Sequence, residues 1–301
     1  MLISCGCPVS GAWGEPSSLA RFAVRAEELG YHGLWSFQRL LVGAEQDLAP
    51  VYQSVLDPLL ALTYAAALTR SIRLGVAVIN LPYLAPAYLA KQVSTLDVLS
   101  RGRADLGLGT GWSEPEFRAT DADPRPRGRR TEEYLAVLKS LFTDRVAAFE
   151  GEVYSLPPSR MAPPPVQPGG PPILLGGTAD AALRRAGRIA AGWVSSSRAS
   201  LDDIQRSTQI VRRAAEEAGR DPDEMRIVVR GVVQAGRRDD DLTLSGDWEQ
   251  IRAGAQLYEE AGVTELFYDL NWDPLVGGDR AEPGAAAERA EEILTALAPA
   301  A

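Results

Sequence analysis

Gly176-Gly177-Thr178 ends an apolar run that begins at Ile173 and stands directly before a helical pattern. Glycines let a backbone come close to an anion, and the first N–H groups of a helix point toward it. Thr178 has two interpretations, since its hydroxyl can bind the anion or simply cap the helix. The segment therefore predicts an anion-binding turn, with a plain capped turn as the alternative.

Three other apolar runs end in polar or aromatic residues, namely Gln38-Arg39, Asn80 and Thr110-Gly111-Trp112. Arg39 is permanently charged, so it either contacts an anion in a site or forms a surface ion pair. The amide of Asn80 suits the edge of a planar ligand or its own turn. Trp112 suits a pocket wall or lid, or a packed rim. Gly109 and Gly111 are interpreted as leaving room for a ligand.

Composition and charge exclude several classes of partner. The 301 residues include 31 Lys and Arg against 40 Asp and Glu, a formal net charge of -9. Such a surface repels phosphate backbones, so nucleic acid is not an expected partner. We find no run of about 18 apolar residues and therefore expect no membrane span. The first residues lack the pattern of a signal peptide, so a cytoplasmic protein is expected.

Metal and thiol chemistry are not expected. The only cysteines, Cys5 and Cys7, are two residues apart in a predicted strand and point to the same face. We interpret them as buried, reduced thiols. The single histidine, His32, has no partner motif and is interpreted as structural. A metal site would need more thiols or histidines nearby, and a Ser-His-Asp triad is not expected either.

The elements that must position these residues alternate regularly along the chain. Strands are predicted at 2–8, 32–37, 72–79, 103–109, 172–177, 192–197, 226–234 and 263–270, with helical patterns between them. This alternation predicts an α/β fold, a (β/α)₈ TIM barrel over 1–301 as one domain. A doubly wound open sheet is the alternative, but no G-x-G-x-x-G follows the first strand. In a barrel, the function lies at the carboxyl ends of the strands.

One stretch interrupts the alternation, between the fourth and fifth units. Residues 147–172 are rich in proline, which central strands and helices do not tolerate. A small hairpin is predicted around Glu150-Gly151. Because the alternation resumes at once, we interpret the stretch as an inserted excursion over the surface.

Taken together, these pieces resemble the luciferase-like monooxygenase superfamily. The segments that carry the resemblance are, in order, LGYHGLW, DPLLALTYAAALTRSIRLGVAV, PAYLAKQVSTLDVLSRGRADLGLGTGW and ILLGGTADAALRRAGRIAAGWV. The resemblance implies a barrel that binds a flavin, either FMN or the deazaflavin coenzyme F420. A chain of this length without an obvious partner subunit is similar to members of the F420-dependent, single-component branch. A homodimer that acts on a small-molecule substrate is expected.

The resemblance also assigns cofactor positions. It implies a non-proline cis peptide bond between Ala77 and Val78, in a strand bulge behind the cofactor ring. It places Asn80 in contact with that ring and Thr110 and Gly111 near it. The phosphate loop falls on Gly176, Gly177 and Thr178. Gln38 and Arg39 stand where many F420-binding relatives carry Asp-His, and an arginine cannot act as an acid or base near neutral pH.

The sequence thus predicts an F420-dependent oxidoreductase that transfers a hydride between the deazaflavin and an unidentified organic substrate. Arg39 and Trp112 are the candidate catalytic residues. The first alternative is an FMN-dependent monooxygenase, and the second is a non-catalytic flavin-binding protein. The direction of hydride transfer stays open, and a redox-neutral reaction such as epimerisation is included.

Overall fold

The strands of the chain form a closed barrel, described by a computed structural model over residues 1–197 and 199–299. In chain order the strands are β1 (Leu2–Gly6), β2 (Gly33–Ser36), β3 (Arg73–Asn80), β4 (Ala104–Gly109), β5 (Ala147–Glu150), β6 (Ser155–Ser159), β7 (Ile173–Gly176), β8 (Gly192–Val194), β9 (Arg226–Ala235), β10 (Leu244–Gly246) and β11 (Glu265–Asp269). The parallel order β1-β2-β3-β4-β7-β8-β9-β11 closes where β11 pairs with β1. The predicted TIM barrel is confirmed.

Helices form the outer layer. In chain order they are α1 (Pro16–Glu28), α2 (Pro58–Leu68), α3 (Pro86–Ser100), α4 (Glu114–Ala119), α5 (Arg127–Thr143), α6 (Asp180–Ile189), α7 (Leu201–Glu217), α8 (Trp248–Glu260) and α9 (Pro283–Ala296). Contacts link α1 to α2, α2 to α3, α3 to α5, and then each helix to the next from α5 to α8, while α9 contacts α1. No helix in the described ranges is both long and apolar enough to cross a bilayer.

Local sequence signals explain where several helices begin. The sequence predicts Asp57 as the cap of a helix that begins at Pro58, and Asp57 accepts a hydrogen bond from the Leu60 N–H at 3.0 Å. Ser200 and Asp203 form the reciprocal capping box expected at the start of α7. The sequence predicts the first helix over 17–29 with Ser17 or Ser18 as its cap, but α1 begins at Pro16 and Glu15 takes the N-cap position. A proline there loses no helical hydrogen bond, so the helix extends one residue beyond the predicted start.

The inserted excursion contains the predicted hairpin, formed by β5 and β6. Glu133 of α5 holds its turn, because its carboxylate accepts the N–H groups of Glu152, Val153 and Tyr154 at 2.8 to 3.0 Å. The two prolines of β6 are tolerated because β6 pairs with β5 alone.

The amino-terminal end of the barrel holds a buried ionic network. Asp105 accepts hydrogen bonds from Arg73 at 2.7 and 2.8 Å and from Arg226 at 2.6 Å. Arg226 also pairs with Glu265 at 2.8 Å. Burial opposes the charged form of Asp105, yet hydrogen bonds from the two guanidinium groups hold its pKa below the usual range. This end of a TIM barrel contributes stability, so the network lies opposite the functional face.

The two cysteines are buried and unbonded, as predicted. Burial raises the pKa of Cys7 to about 12 and that of Cys5 well above its ordinary value. Both thiols are therefore protonated at neutral pH and poor nucleophiles.

Candidate active site

A cleft of about 540 Å³ opens at the carboxyl ends of the barrel strands. Every residue that the sequence singled out for the site lines it: Gln38, Arg39, Ala77, Val78, Asn80, Thr110, Gly111, Trp112, Gly176, Gly177 and Thr178. The barrel thus brings together residues that are far apart in sequence. Their individual roles remain predictions.

The end of β3 forms one wall of the cleft. Pairing between β3 and β4 shifts register between Val76 and Ile79, which is the predicted bulge. The Ala77–Val78 peptide bond is cis, as expected. Gln38 braces this wall, because its Oε1 accepts the Asn80 backbone N–H at 2.8 Å. The side-chain oxygen of Gln38 therefore already accepts a hydrogen bond from within the protein.

The glycines near Trp112 serve the packing of the protein itself, and the expectation that they also leave room for a ligand stays a prediction. A Cβ at Gly109 would lie 2.5 Å from Val78 Cγ2. A Cβ at Gly111 would lie 2.8 Å from the Tyr83 hydroxyl, and its φ of +72° already favours glycine. Both positions need glycine even before a ligand is considered.

The turn before α6 has the geometry of an anion site. The helix begins at Asp180 after Ala179, and within the described part of the chain no side chain caps it. Thr178 is therefore not the cap, and the binding of an anion by this turn stays a prediction. Gly177, at a φ of +125°, adopts a conformation that only glycine takes easily. Its carbonyl accepts the Trp193 indole N–H at 2.8 Å, which holds the turn in place. Exposed N–H groups at a helix start fit a phosphate.

Arg39 is buried beside the cleft, with 4% of its side chain exposed. Its Nη1 lies 3.0 Å from Glu116 Oε2 on α4, and Glu116 is buried as well. Its Cζ lies 4.5 Å from the centroid of the Trp112 ring and 5.4 Å from that of Tyr52. The surface ion pair considered as an alternative is therefore wrong. Glu116 compensates the charge of Arg39, so the two residues form a buried ion pair at the edge of the cleft.

Arg230 is a cleft residue that sequence reasoning missed. It lies on β9, and its Nε donates to Asp269 Oδ2 at 2.6 Å. Its Cζ lies 4.5 Å from the centroid of the Phe37 ring. A signal was available, because strand periodicity places Arg230 on the same face as the buried Val228. A charged residue on an inward face is unusual unless it is paired or functional.

The structure also differs from the sequence prediction at the three serines after Val194. The sequence predicts a strand over 192–197, but β8 ends at Val194. Ser195, Ser196 and Ser197 instead line the cleft. Serine side chains can hydrogen-bond to nearby backbone groups and so compete with the hydrogen bonds between strands, which explains why the strand ends early.

The charges that line the cleft have one sign. Arginines contribute at four positions, Arg39, Arg127, Arg185 and Arg230, and no Asp or Glu occurs among the lining residues that the structure describes. The chain as a whole carries a net charge of -9. Arg39, Arg185 and Arg230 each pair with a carboxylate, Glu116, Glu132 and Asp269 respectively, so much of this charge is compensated behind the lining. The lining itself still presents only cationic donors, a local property of the site that favours an anionic ligand.

Comparisons with curated proteins find relatives of two cofactor types. An uncharacterized protein of Mycobacterium tuberculosis is 38% identical over 164 residues, 54% of this chain and 55% of that protein. The F420-dependent glucose-6-phosphate dehydrogenase of Kineococcus radiotolerans is 31% identical over 204 residues, 66% and 58% of the two chains. The FMNH(2)-dependent dimethylsulfone monooxygenase of Pseudomonas putida is 30% identical over 152 residues, 50% and 41%. The chain spans about half the length of these relatives.

Fold and family agree. The crystal structure of monooxygenase RslO1 from Streptomyces bottropensis superposes with a TM-score of 0.80, at 20% identity, over 98% of both chains. The family model described as luciferase-like monooxygenase matches residues 6–243, well over half of the sequence. The chain belongs to the luciferase-like monooxygenase family.

Proposed function

We propose that this chain is a coenzyme F420-dependent oxidoreductase that transfers a hydride between the deazaflavin and a small organic substrate. The observation that carries the proposal is the extent of the positive region at the cleft mouth. The start of α6 behind Gly176-Gly177-Thr178 suits one phosphate, and Arg127 extends the positive region beyond it, beside Arg185, which pairs with Glu132 at 3.3 Å. F420 carries carboxylates on a glutamyl tail beyond its phosphate, whereas FMN ends at its phosphate.

The residues fit such a cofactor in two places. The N–H groups before α6 and the Thr178 hydroxyl would hold the phosphate. The β3 bulge at Ala77-Val78, with Asn80 and Thr110, would form the wall against the ring. When bound, F420 supplies a carbon that accepts or donates a hydride, and the protein supplies orientation and electrostatics.

The remaining lining suggests how the substrate is handled. Arg39, Tyr52 and Trp112 form a cationic and aromatic cluster in the loops after β2 and β4, the two strands that flank β3. Arg39 stabilises negative charge but does not transfer a proton. Since neither histidine nor carboxylate lines the described cleft, we expect kcat/KM to show no step near pH 6.5. A step there, absent from the substrate's own titration, would contradict this assignment.

The FMN-dependent monooxygenase is the second candidate, supported by the relative from Pseudomonas putida. Titration of the purified protein with F420 and with FMN, followed by flavin fluorescence, separates the two. We expect F420 to bind with micromolar or tighter affinity and FMN to bind more weakly. Tight FMN binding without measurable F420 binding would overturn the proposal. Turnover with any substrate excludes a non-catalytic flavin-binding protein.

A variant at the cleft mouth tests the tail contact separately. Arg127→Ala should weaken F420 binding by roughly threefold or more, about 0.6 kcal/mol, because a cation near the glutamyl carboxylates is lost. It should leave unchanged the affinity for the bare deazaflavin chromophore, which lacks phosphate and tail. Arg129→Ala is the matched control, since Arg129 lies on the same helix and pairs with Glu152. Equal effects of the two variants would place the tail elsewhere.

A further inference from the structure

Arg230 has a nitrogen without a partner inside the cleft. Only 7% of its side chain is exposed. Its Nη2 is buried and makes no hydrogen bond to any residue in 1–197 or 199–299. Leaving a buried charged donor unsatisfied is costly, and such groups in native structures call for a specific explanation. Because Arg230 lines the cleft, a ligand atom is the natural acceptor.

The rest of the side chain is held firmly in place. Asp269 accepts from Arg230 Nε through Oδ2, while its Oδ1 accepts the Asn271 backbone N–H at 3.1 Å and the Asn271 side-chain amide at 2.8 Å. The Trp13 indole N–H in turn donates to Asn271 Oδ1 at 3.0 Å. All four residues are buried. Such a network fixes the direction of the free nitrogen before any ligand arrives.

The position of Arg230 assigns it to the substrate half of the cleft. In the closed order of eight barrel strands, β9 lies four strands from β3, on the opposite side. The residues assigned to the cofactor lie on or directly after β3, β4 and β7. Arg230 instead faces Phe37, which packs edge-on against Tyr52 with ring centroids 6.0 Å apart. A fixed cationic donor and an aromatic wall therefore lie next to each other in the cleft.

We propose that Arg230 binds a carboxylate group of the substrate, whose apolar part lies against Phe37 and Tyr52. This inference takes from the proposed function only the assignment of the β3 side to the cofactor. A carboxylate is favoured over a neutral carbonyl because it adds the attraction of opposite charges to the hydrogen bond from the guanidinium. It is favoured over a cation because every charged side chain lining the described cleft is an arginine.

Calorimetric titration with small probes tests the inference without knowledge of the natural substrate. The probes are benzoate, phenylacetate and hexanoate, each with its neutral amide, added to the protein saturated with inorganic phosphate so that the turn before α6 is already filled. At least one acid should bind the wild-type chain more tightly than its amide. If no acid binds, or if each amide binds as tightly as its acid, the inference is wrong.

Variants then locate the bound carboxylate. The double variant Arg230→Met/Asp269→Asn removes both charges of the pair, so no buried charge is left alone. It should weaken acid binding at least tenfold, about 1.4 kcal/mol, and Arg230→Lys should recover part of the loss. Arg289→Lys is the matched control, since Arg289 also lies over a ring, that of Trp248, and pairs with Glu292 outside the cleft. Thermal unfolding of each variant verifies that it is folded.

F420 titration of the same variants separates this inference from the proposed function. Unchanged F420 affinity together with weaker acid binding supports both. If wild-type protein binds no F420 while acid binding still depends on Arg230, the inference stands and the cofactor proposal fails. If F420 affinity falls and acid binding does not, Arg230 belongs to the cofactor site and the inference is overturned.

Discussion

Arg39 and Arg230 show how a buried guanidinium is made tolerable at a binding site. Each pairs with a buried carboxylate, Glu116 and Asp269 respectively, and each lies over an aromatic ring. The net value of such a pair is small, but removing one partner leaves the other as an uncompensated buried charge. Single substitutions at these positions therefore affect folding as well as binding, and their interpretation requires double variants.

Arg39→Ala is expected to lower the free energy of unfolding by about 3–5 kcal/mol, because Glu116 is left buried and charged. The double variant Arg39→Ala/Glu116→Gln should lower the free energy of unfolding by clearly less, because no buried charge is left alone. Urea denaturation followed by circular dichroism measures both. Arg118→Ala is the control, since the Arg118–Glu114 pair is largely exposed and should contribute at most about 1 kcal/mol. A loss at Arg39 no larger than that of the control would show that Glu116 is easily solvated.

Gly177→Asp tests the anion site at the level of one residue. A carboxylate against the phosphate, together with strain at a φ of +125°, should reduce cofactor affinity at least tenfold, about 1.4 kcal/mol. Gly219→Asp carries the same chemical change at another positive φ, +72°, with open space around its Cβ and outside the cleft. Fluorescence titration of both variants separates a lost phosphate contact from a general cost of folding. Equal affinities would place the anion elsewhere.

At the level of elements, Glu27 joins α1 to the turn that leads into β3. Its carboxylate accepts the backbone N–H groups of Arg70, Ser71 and Ile72 at 2.6 to 3.1 Å. Partial burial opposes the charged form, but the hydrogen bonds outweigh it and lower the pKa of Glu27 to about 2. Because the folded pKa lies below the unfolded one, the stabilisation is complete above about pH 4.3 and is lost as the pH falls toward 2.

Glu27→Gln should therefore destabilise the protein at pH 7 and lose most of its effect near pH 2. Urea midpoints of wild type and variant, measured at several pH values, give this difference directly. Glu28→Gln, at the next residue, is the control, because Glu28 makes only an exposed pair with Arg25. A gap between wild type and Glu27→Gln that stays constant with pH would contradict the assignment.

Sequence reasoning predicts the alternation of elements and the residues at strand ends, because both depend on local patterns. It locates the caps at Asp57 and Ser200 and brings Asn80, Arg39 and Thr178 to one face. It misses β10, a strand of three residues that pairs only at the far end of β9. So short an element has no period of its own and exists only through its partner.

The parts of the site that sequence reasoning misses are those that depend on side-chain pairing across the barrel. Glu116 follows Trp112 by four residues, but nothing local shows that it reaches Arg39. Arg230 and Asp269 lie on adjacent strands, although 39 positions separate the two residues in the chain. Such pairs form because burial forces charges to find partners, and which partner is found depends on the tertiary fold.

At the scale of the whole molecule, one face of α2 stays apolar and exposed. Leu60, Tyr64 and Leu68 recur every four residues and are 69%, 45% and 41% exposed, and Tyr88 of the neighbouring α3 is 61% exposed. Residues with this spacing form one stripe along a helix. We propose that this stripe is covered in a homodimer.

Light scattering after size exclusion should accordingly give twice the mass of the chain. Leu60→Glu/Tyr64→Glu should shift the protein to a monomer, because charges cannot be buried at such an interface without partners. Val24→Glu on α1 is the control, a single exposed apolar position away from the stripe. A monomeric wild-type protein at micromolar concentration would remove the homodimer from consideration.

The contrast between an arginine-lined cleft and an acidic chain has a kinetic consequence. An anionic ligand is repelled by the protein at long range and attracted only near the opening, so the two effects oppose each other on approach. Salt screens the distant repulsion before it screens charges inside the cleft, because the screening length at 0.1 M is about 10 Å. Stopped-flow association rates for F420 should therefore rise, or stay level, between low and moderate ionic strength. A steep fall, as expected for a uniformly basic protein, would mean that the cleft dominates the field at every distance.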